Sequence, residues 1–218
     1  MEKRIGFIGC YSHDIILMLA RVLACTEKKV LIRDCNKRHI LRDSIPIPDA
    51  ICREEAEVEY DGVFFTERSA TETTEWYDIE LIDYGLEVNA GEKSECTDWV
   101  VVTDMVLHHI RRLEKIDFPR ENVRACVVRD SYEDICKGEP EIRRFLNTVP
   151  GTKEFFLPPD IRDVRNRCVC ETAYEYNVNR ASPETQRMIY SIAELFCVNL
   201  TGKEIRRRIK RRERRRYC

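Results

Sequence analysis

Six short stretches of this chain carry residues suited to holding a phosphate or a divalent cation, and each follows an apolar run. They are Gly9-Cys10-Tyr11-Ser12-His13-Asp14, Asp34, Asp83-Tyr84-Gly85, Thr103-Asp104, Arg129-Asp130 and Pro158-Pro159-Asp160. Carboxylates in such places suit Mg²⁺, which takes oxygen ligands and binds through one or two carboxylates together with phosphates. The first stretch opens a helical pattern, and a helix N-terminus offers unpaired N–H groups to an anion. Other chemistries have thinner support. Cys10 lies near His13 at that helix start, a setting that lowers a thiol pKa, but Asp14 opposes the effect and nothing positions an oxyanion hole. His108 and His109 are adjacent on a predicted helix and project about 100° apart, so they do not chelate as an i, i+4 pair does. One is expected to face the sheet and the other solvent. The eleven cysteines include no C-x-x-C, only Cys168-Val169-Cys170, and no metal site is expected.

The elements that must position these groups follow from periodicity. Arg4–Gly9 reads as a strand, Asp14–Cys25 as a helix that Asp14 can cap, and Lys29–Asp34 as a second strand. This is a βαβ unit with an expected right-handed crossover. Cys35–Glu59, with Pro46 and Pro48, reads as loop and broken helix. Further strands are predicted at Val63–Thr66, Ile79–Asp83, Asp98–Thr103, Asn122–Arg129 and Glu154–Leu157, and helices at Ser69–Trp76, Met105–Ile116, Pro140–Asn147, Ile161–Cys170 and Pro183–Asn199. Ser182 and Pro183 supply an N-cap and first-turn proline for the last of these. Alternating helices and short, wholly apolar strands predict an α/β fold: three layers around a doubly wound, mostly parallel sheet. In such a sheet ligands sit beyond the carboxyl ends of the strands, where the six stretches lie.

Composition narrows the classes. The 218 residues are 43% apolar and 35% charged, too charged to span a membrane and too apolar for wholesale disorder. The run Ile5–Ile8 is too short for a leader, so the thiols are expected to be reduced and the protein cytoplasmic. Cys25, Cys126 and Cys197 fall in apolar stretches and read as core residues. The net charge of -2 hides an asymmetry. Lys203–Cys218 holds 10 basic and 2 acidic residues, which leaves 27 basic against 37 acidic in the body. The expected organisation is one domain over residues 1–200 and a basic tail over 201–218.

Five of these elements, in order and spacing, resemble the MinD/ParA group of P-loop ATPases with a deviant Walker A motif, and in particular the divergent TadZ/CpaE-like branch of pilus assembly. RIGFIG stands where the first strand enters the phosphate loop. LARVLACTEKKVLIRD matches helix, turn and second strand ending at Asp34. YDIELIDYG puts Asp83 at the Walker B-like position, followed by Gly85. CTDWVVVTDMVLHHIRRLEKI matches the next strand and helix, and FFLPPDIRDVRNRC, with Pro158 and Asp160, the late segment that faces the base in relatives. The resemblance spans Arg4 to about Asn199. It implies a P-loop NTPase-like fold, ATP with Mg²⁺ as the family's ligand, and a homodimer with its nucleotide faces inward.

The phosphate loop departs from that pattern. The family's loop is glycine-rich and ends G-K-T/S: glycines let N–H groups converge on phosphate, lysine pairs with its oxygens and the hydroxyl binds Mg²⁺. Here the loop is Gly9, Cys10, Tyr11, Ser12, His13 and Asp14, and no lysine lies between Lys3 and Lys28. Asp14 suits the helix dipole but takes the place where phosphate would sit. Tyr11 and Tyr84 put bulk beside the same region and are candidate plugs. Asp34 and Asp83 then read as remnants or caps, and Gly85 as a backbone requirement. The expectation is a degenerate member without cofactor that does not hydrolyse nucleotide and works in localisation or scaffolding, with protein partners in a pilus or secretion apparatus. The alternative is a nucleotide-dependent dimerising switch that binds ATP and Mg²⁺ through an atypical loop.

The tail allows a third function. Arg206, Arg207, Arg208, Lys210, Arg211, Arg212, Arg214, Arg215 and Arg216 crowd eleven positions, as a basic helix or a disordered arm. Such a segment neutralises nucleic-acid phosphates, docks on an anionic membrane, or folds onto an acidic protein face. Ile205, Ile209 and Tyr217 offer too little apolar surface for a deep anchor. The resemblance includes both membrane-associated members and members that bind DNA non-specifically.

Overall fold

The computed structural model describes residues 3–38, 40–46, 57–66, 76–86, 96–197 and 200–216, with side chains as far as residue 211. The predicted helix at Ser69–Trp76 lies almost wholly outside these residues, as do parts of the 35–59 segment. Eight strands form one sheet: β1 (Lys3–Gly9), β2 (Val30–Asp34), β3 (Val58–Tyr60), β4 (Val63–Thr66), β5 (Ile79–Asp83), β6 (Asp98–Thr103), β7 (Val123–Arg129) and β8 (Lys153–Leu157). Their order is β3-β4-β2-β5-β1-β6-β7-β8, and all neighbours are parallel except the β3–β4 pair. The strands read as near-continuous apolar runs because the central ones are covered on both faces.

One face carries α1 (His13–Ala24), α6 (Ile161–Ala173), α7 (Pro183–Phe196) and α8 (Gly202–Arg216). Ile16, Leu19, Met188, Ile192 and Phe196 share its core with Ile5, Phe7, Val100 and Val127. The other face carries α3 (Leu107–Lys115), α4 (Glu133–Gly138) and α5 (Pro140–Leu146), packed through Ile110, Leu113, Cys136 and Phe145 onto Ile8, Trp99 and Val128. A four-residue α2 (Ile40–Asp43) follows β2. The edge hairpin of β3 and β4, absent from the sequence reading, turns on Asp61 and Gly62, both at positive φ. That dipeptide suits the tight hairpin turn whose twist matches the strands.

Burial of charge inside the sheet is paired. Arg33 on β2 and Glu80 on β5 are almost fully buried and bond at 2.6 Å, and Arg4 reaches the second Glu80 oxygen at 3.0 Å. The start of α7 is fixed by Ser182, whose Oγ accepts from Thr185 N at 3.1 Å while donating to Asp163 at 2.7 Å. The basic segment forms helix α8. Its first turn is a reciprocal capping box: Thr201 N donates to Glu204 at 2.8 Å and Glu204 N returns to Thr201 Oγ1 at 3.4 Å. Ile205 and Ile209 enter the core beside α7.

Candidate functional site

β1 and β6 lie side by side, yet the chain leaves β1 into α1 on one face and leaves β6 into α3 on the other. Their carboxyl ends therefore open the crevice where doubly wound sheets place ligands. Strand backbones approach closely here. Gly9 has φ +131, and a Cβ on it would stand 1.7 Å from Val102 O, so only glycine fits. Cys10 N donates to Val102 O at 2.9 Å, and Gly9 N donates to Gly85 O at 2.7 Å.

Asp14 is the centre of the loop's electrostatics. It lies in the first turn of α1, not at its cap, since Ser12 holds the N-cap position and makes no side-chain cap bond. The Asp14 carboxylate meets the Arg129 guanidinium, delivered by the end of β7, through two bonds of 2.6 and 2.8 Å. Arg129 also donates to Tyr11 O, and Arg167 of α6 approaches Asp14 at 3.6 Å. Both members of the pair are buried. Burial alone would raise the Asp14 pKa, but the Arg129 charge and hydrogen bonds prevail and hold it at about 2. Burial likewise disfavours the Arg129 charge, and Asp14 overrides it and raises that pKa. Between this pair, Pro158, Asp160 and Asn166, the space left amounts to about 10 Å³. One water needs that much, whereas small-molecule sites run to roughly 300–1,000 Å³.

The other sequence candidates are drawn into local bonding. Asp83 is buried and accepts from Ser12 Oγ at 3.0 Å, Gly85 N at 3.1 Å and Asn36 Nδ2 at 3.2 Å. Burial pushes its pKa up against those three donors. Asp34 accepts from Asn36 N and Arg42 N, which ties the β2 end to α2. His13 is buried and pairs with Glu171 of α6 at 2.8 Å. Gly85 adopts φ +57, and a Cβ there would press Asn36 at 2.7 Å. Asp160, after Pro158, caps α6 by accepting from Arg162 N at 2.8 Å. The two tyrosines do not plug the crevice. Tyr11 is 47% exposed, and Tyr84 lies under the sheet, stacked on Trp99 at 5.5 Å. The Asp14–Arg129 pair occupies that space.

A second cluster lies on the other side of the loop. The Cys10 thiol, the Asp104 carboxylate and a ring nitrogen of His109 lie within 4.8 Å of one another. His109 Nδ1 is 2.9 and 3.0 Å from the two Asp104 oxygens. His108 is exposed, as expected of one member of the pair, while His109 is half-buried against Asp104 with its ring centroid 4.1 Å from that of His108. Burial, then the Asp104 charge, pushes the Cys10 thiol up to about 12, so it is no thiolate nucleophile near neutral pH. Cys25, Cys126 and Cys197 are buried in the core. Sequence reasoning named Arg129 only within a strand-end stretch, considered His109 only as the neighbour of His108, and gave no weight to Arg167. The usable signal for Arg129 was an arginine closing the apolar run of β7, where a buried guanidinium demands a carboxylate.

On α8, Arg206 lies over the Tyr190 ring at 4.5 Å and Arg208 approaches Glu27 at 3.7 Å. Lys203, Arg207, Lys210 and Arg211 are exposed and share one surface hollow with Arg206.

The parallel eight-stranded sheet, with helices on both faces and a loop-to-helix junction after β1, is the P-loop NTPase fold of the MinD/ParA kind. The MinD cell division protein of Aquifex aeolicus superposes with a TM-score of 0.62 at 14% identity, over 91% of this chain and 98% of that one. A chain of the MinC:MinD cell division protein complex of Aquifex aeolicus gives 0.59 at 15%, over 91% and 97%. pNOB8 ParA bound to nonspecific DNA gives 0.53 at 11%, over 97% and 99%. Likeness at these identities shows the fold alone. No protein-family model matches the sequence, and no curated protein sequence matches it. No helix among the described residues is long and apolar enough to cross a membrane.

Proposed function

We propose that this chain uses the MinD/ParA fold as a non-hydrolysing positioning or scaffold protein. The observation that carries the reading is the Asp14–Arg129 pair. In a phosphate-binding relative, the first turn of α1 presents N–H groups and positive dipole to an anion. Here the anion is internal: a side-chain carboxylate, neutralised by Arg129. The residues present do not fit ATP and Mg²⁺. The loop brings no lysine, its one aliphatic hydroxyl, Ser12, donates to Asp83, and Asp83 already accepts three hydrogen bonds. A phosphate taking Arg129 for itself would leave the buried Asp14 carboxylate without its main partner, a cost of several kcal/mol.

The resemblance to the TadZ/CpaE-like branch supports work in a pilus or secretion apparatus, with protein partners and a homodimer as the unit. The MinC:MinD complex is a precedent for a protein partner on this fold. Calorimetric titration with ATP and GTP, each with Mg²⁺, tests the proposal, with sizing chromatography alongside. No heat and an unchanged oligomer at millimolar nucleotide are expected. Saturable binding that also drives dimerisation would overturn it in favour of a nucleotide switch, with Asp34 and Asp83 on the Mg²⁺ side.

One observation favours an added function for α8. Its apolar residues are buried, and its described basic residues, Arg208 aside, are exposed. That face suits nucleic-acid phosphates, as in the ParA structure bound to nonspecific DNA. Affinity for random-sequence duplex DNA should fall at least tenfold from 50 to 200 mM salt. Equal binding to anionic vesicles and none to DNA would assign the face to a membrane surface instead.

A further inference from the structure

The cluster beside the loop has a donor set that the scaffold reading leaves unused. Cys10 follows β1, Asp104 follows β6, and His109 lies in the first turn of α3. The three come from separate elements that meet in the crevice between two adjacent strand ends. One sulfur, one nitrogen and one oxygen atom lie within 4.8 Å of one another. Tetrahedral Zn²⁺, with bonds of about 2.0–2.3 Å, needs its ligands roughly 3.3–3.8 Å apart. The His109–Asp104 hydrogen bond, at 2.9 Å, would open and give way to the metal, while the longer separations, all within 4.8 Å, would close by about 1 Å.

The surroundings suit an ion. The backbone after β6 holds the Asp104 carboxylate in place, with Val106 N donating to Oδ1 at 2.9 Å. A hydrogen bond of this kind orients a ligand carboxylate. Cys10 is a free thiol, buried and fixed by its own N–H on Val102 O. The His109 and Asp104 side chains are 15% and 12% exposed, so an ion has a path in. The Tyr11 ring stands edge-on to His109, 6.2 Å between centroids, and covers one side of that path.

We propose that Cys10, Asp104 and His109 form a binding site for a borderline divalent metal, Zn²⁺ foremost, with the fourth position left to water. Mixed sulfur, nitrogen and oxygen donors match Zn²⁺ and Co²⁺ and are poor for Mg²⁺ or Ca²⁺, which take oxygen throughout. Three protein ligands make an open site, unlike the closed four-ligand structural kind. The metal would fasten the loop after β1 to α3, across the crevice that a nucleotide spans in phosphate-binding members of the fold. The site does not depend on the scaffold function, since Asp14 and Arg129 are not among its ligands.

The full chain, stripped with chelator and dialysed, is titrated with Zn²⁺ by calorimetry and with Co²⁺ by absorption. One-to-one binding is expected, with a near-ultraviolet sulfur-to-cobalt band and a rise in melting temperature. Cys10→Ser should abolish the band, and His109→Ala should weaken Zn²⁺ at least a hundredfold. Cys168→Ser, at the exposed end of the C-x-C pair, should change neither. Near-ultraviolet circular dichroism of the metal-free variants reports folding; if Cys10→Ser does not fold, the partly exposed His109→Ala decides alone. Absence of uptake would overturn the proposal, as would uptake that survives His109→Ala or is lost in Cys168→Ser.

Discussion

Two polar clusters flank the same loop and have opposite constitutions. Asp14 and Arg129 are buried, oppositely charged and mutually saturated by two short hydrogen bonds. Cys10, Asp104 and His109 lie at the rim, combine three donor types and share one short contact between two of their members. The first cluster joins a carboxylate in the first turn of α1 to an arginine at the end of β7. The second gathers three donor types around one small volume, with His109 and Asp104 bonded to each other. A fold that gathers polar groups at strand ends can therefore form two unlike clusters a few residues apart, because the strand register, not the loop sequence, brings the groups together.

The sharpest way to break the contrast is to remove one member of the saturated pair. Arg129→Ala leaves the Asp14 charge buried without its main partner, and such changes cost about 3–5 kcal/mol. For a chain of this size that is a fall in Tm of about 10 °C. The double variant Asp14→Leu with Arg129→Met removes both charges and should recover most of the loss, since apolar replacements of buried pairs are often neutral. Thermal melts of the three proteins decide it. A single variant that melts with the parent would mean that the pair is not the closed unit described above.

Acid probes the same pair without mutation. The Asp14 pKa is held at about 2 in the fold, against 3.8 for an ordinary aspartate. A carboxylate with a depressed folded pKa contributes stability that is complete above its unfolded pKa and disappears as pH falls through the folded one. The contribution is about 2 kcal/mol and should vanish between about pH 4 and pH 2. Urea midpoints across that range should show a steeper acid loss for the parent than for the Asp14→Leu, Arg129→Met double variant. Parallel curves would remove Asp14 from the acid-sensitive groups.

The sequence was most legible where a single physical rule dominates. Apolar runs such as those of β1, β6 and β7, alternating with helices, are typical of a parallel sheet covered on both faces, and the βαβ order fixed their layering. Asp14 was singled out from the sequence as a carboxylate at the helix start, and the structure places it in the first turn of α1. What the sequence could not reveal was the partner, since Arg129 lies 115 residues away and its pairing depends on which strand ends become neighbours. Cys10, Asp104 and His109 were hidden for the same reason, and the adjacent His108 drew the reading toward a local pair. The β3–β4 hairpin was missed although its signal is local: Asp61-Gly62 between two short apolar segments. The prolines upstream, at 46 and 48, pulled the reading toward loop. Tyr84 misled because its neighbours in sequence end at the crevice while its own side chain falls on the opposite face, against Trp99.

The smallest expected effect lies in the second cluster when no metal is present. His109→Ala removes one imidazole–carboxylate contact at a partly exposed site, and Asp104 keeps its bond from Val106 N. Loss of such a contact costs about 0.5–1.5 kcal/mol, several times less than Arg129→Ala. With Zn²⁺ at a hundred times its dissociation constant the parent gains about 2.7 kcal/mol from ligand linkage, and the variant should gain almost none. The gap between the two proteins should thus widen on adding metal and close again with chelator. A variant as destabilised as Arg129→Ala in chelator would make His109 a structural support, and the two clusters would then differ in composition but not in kind.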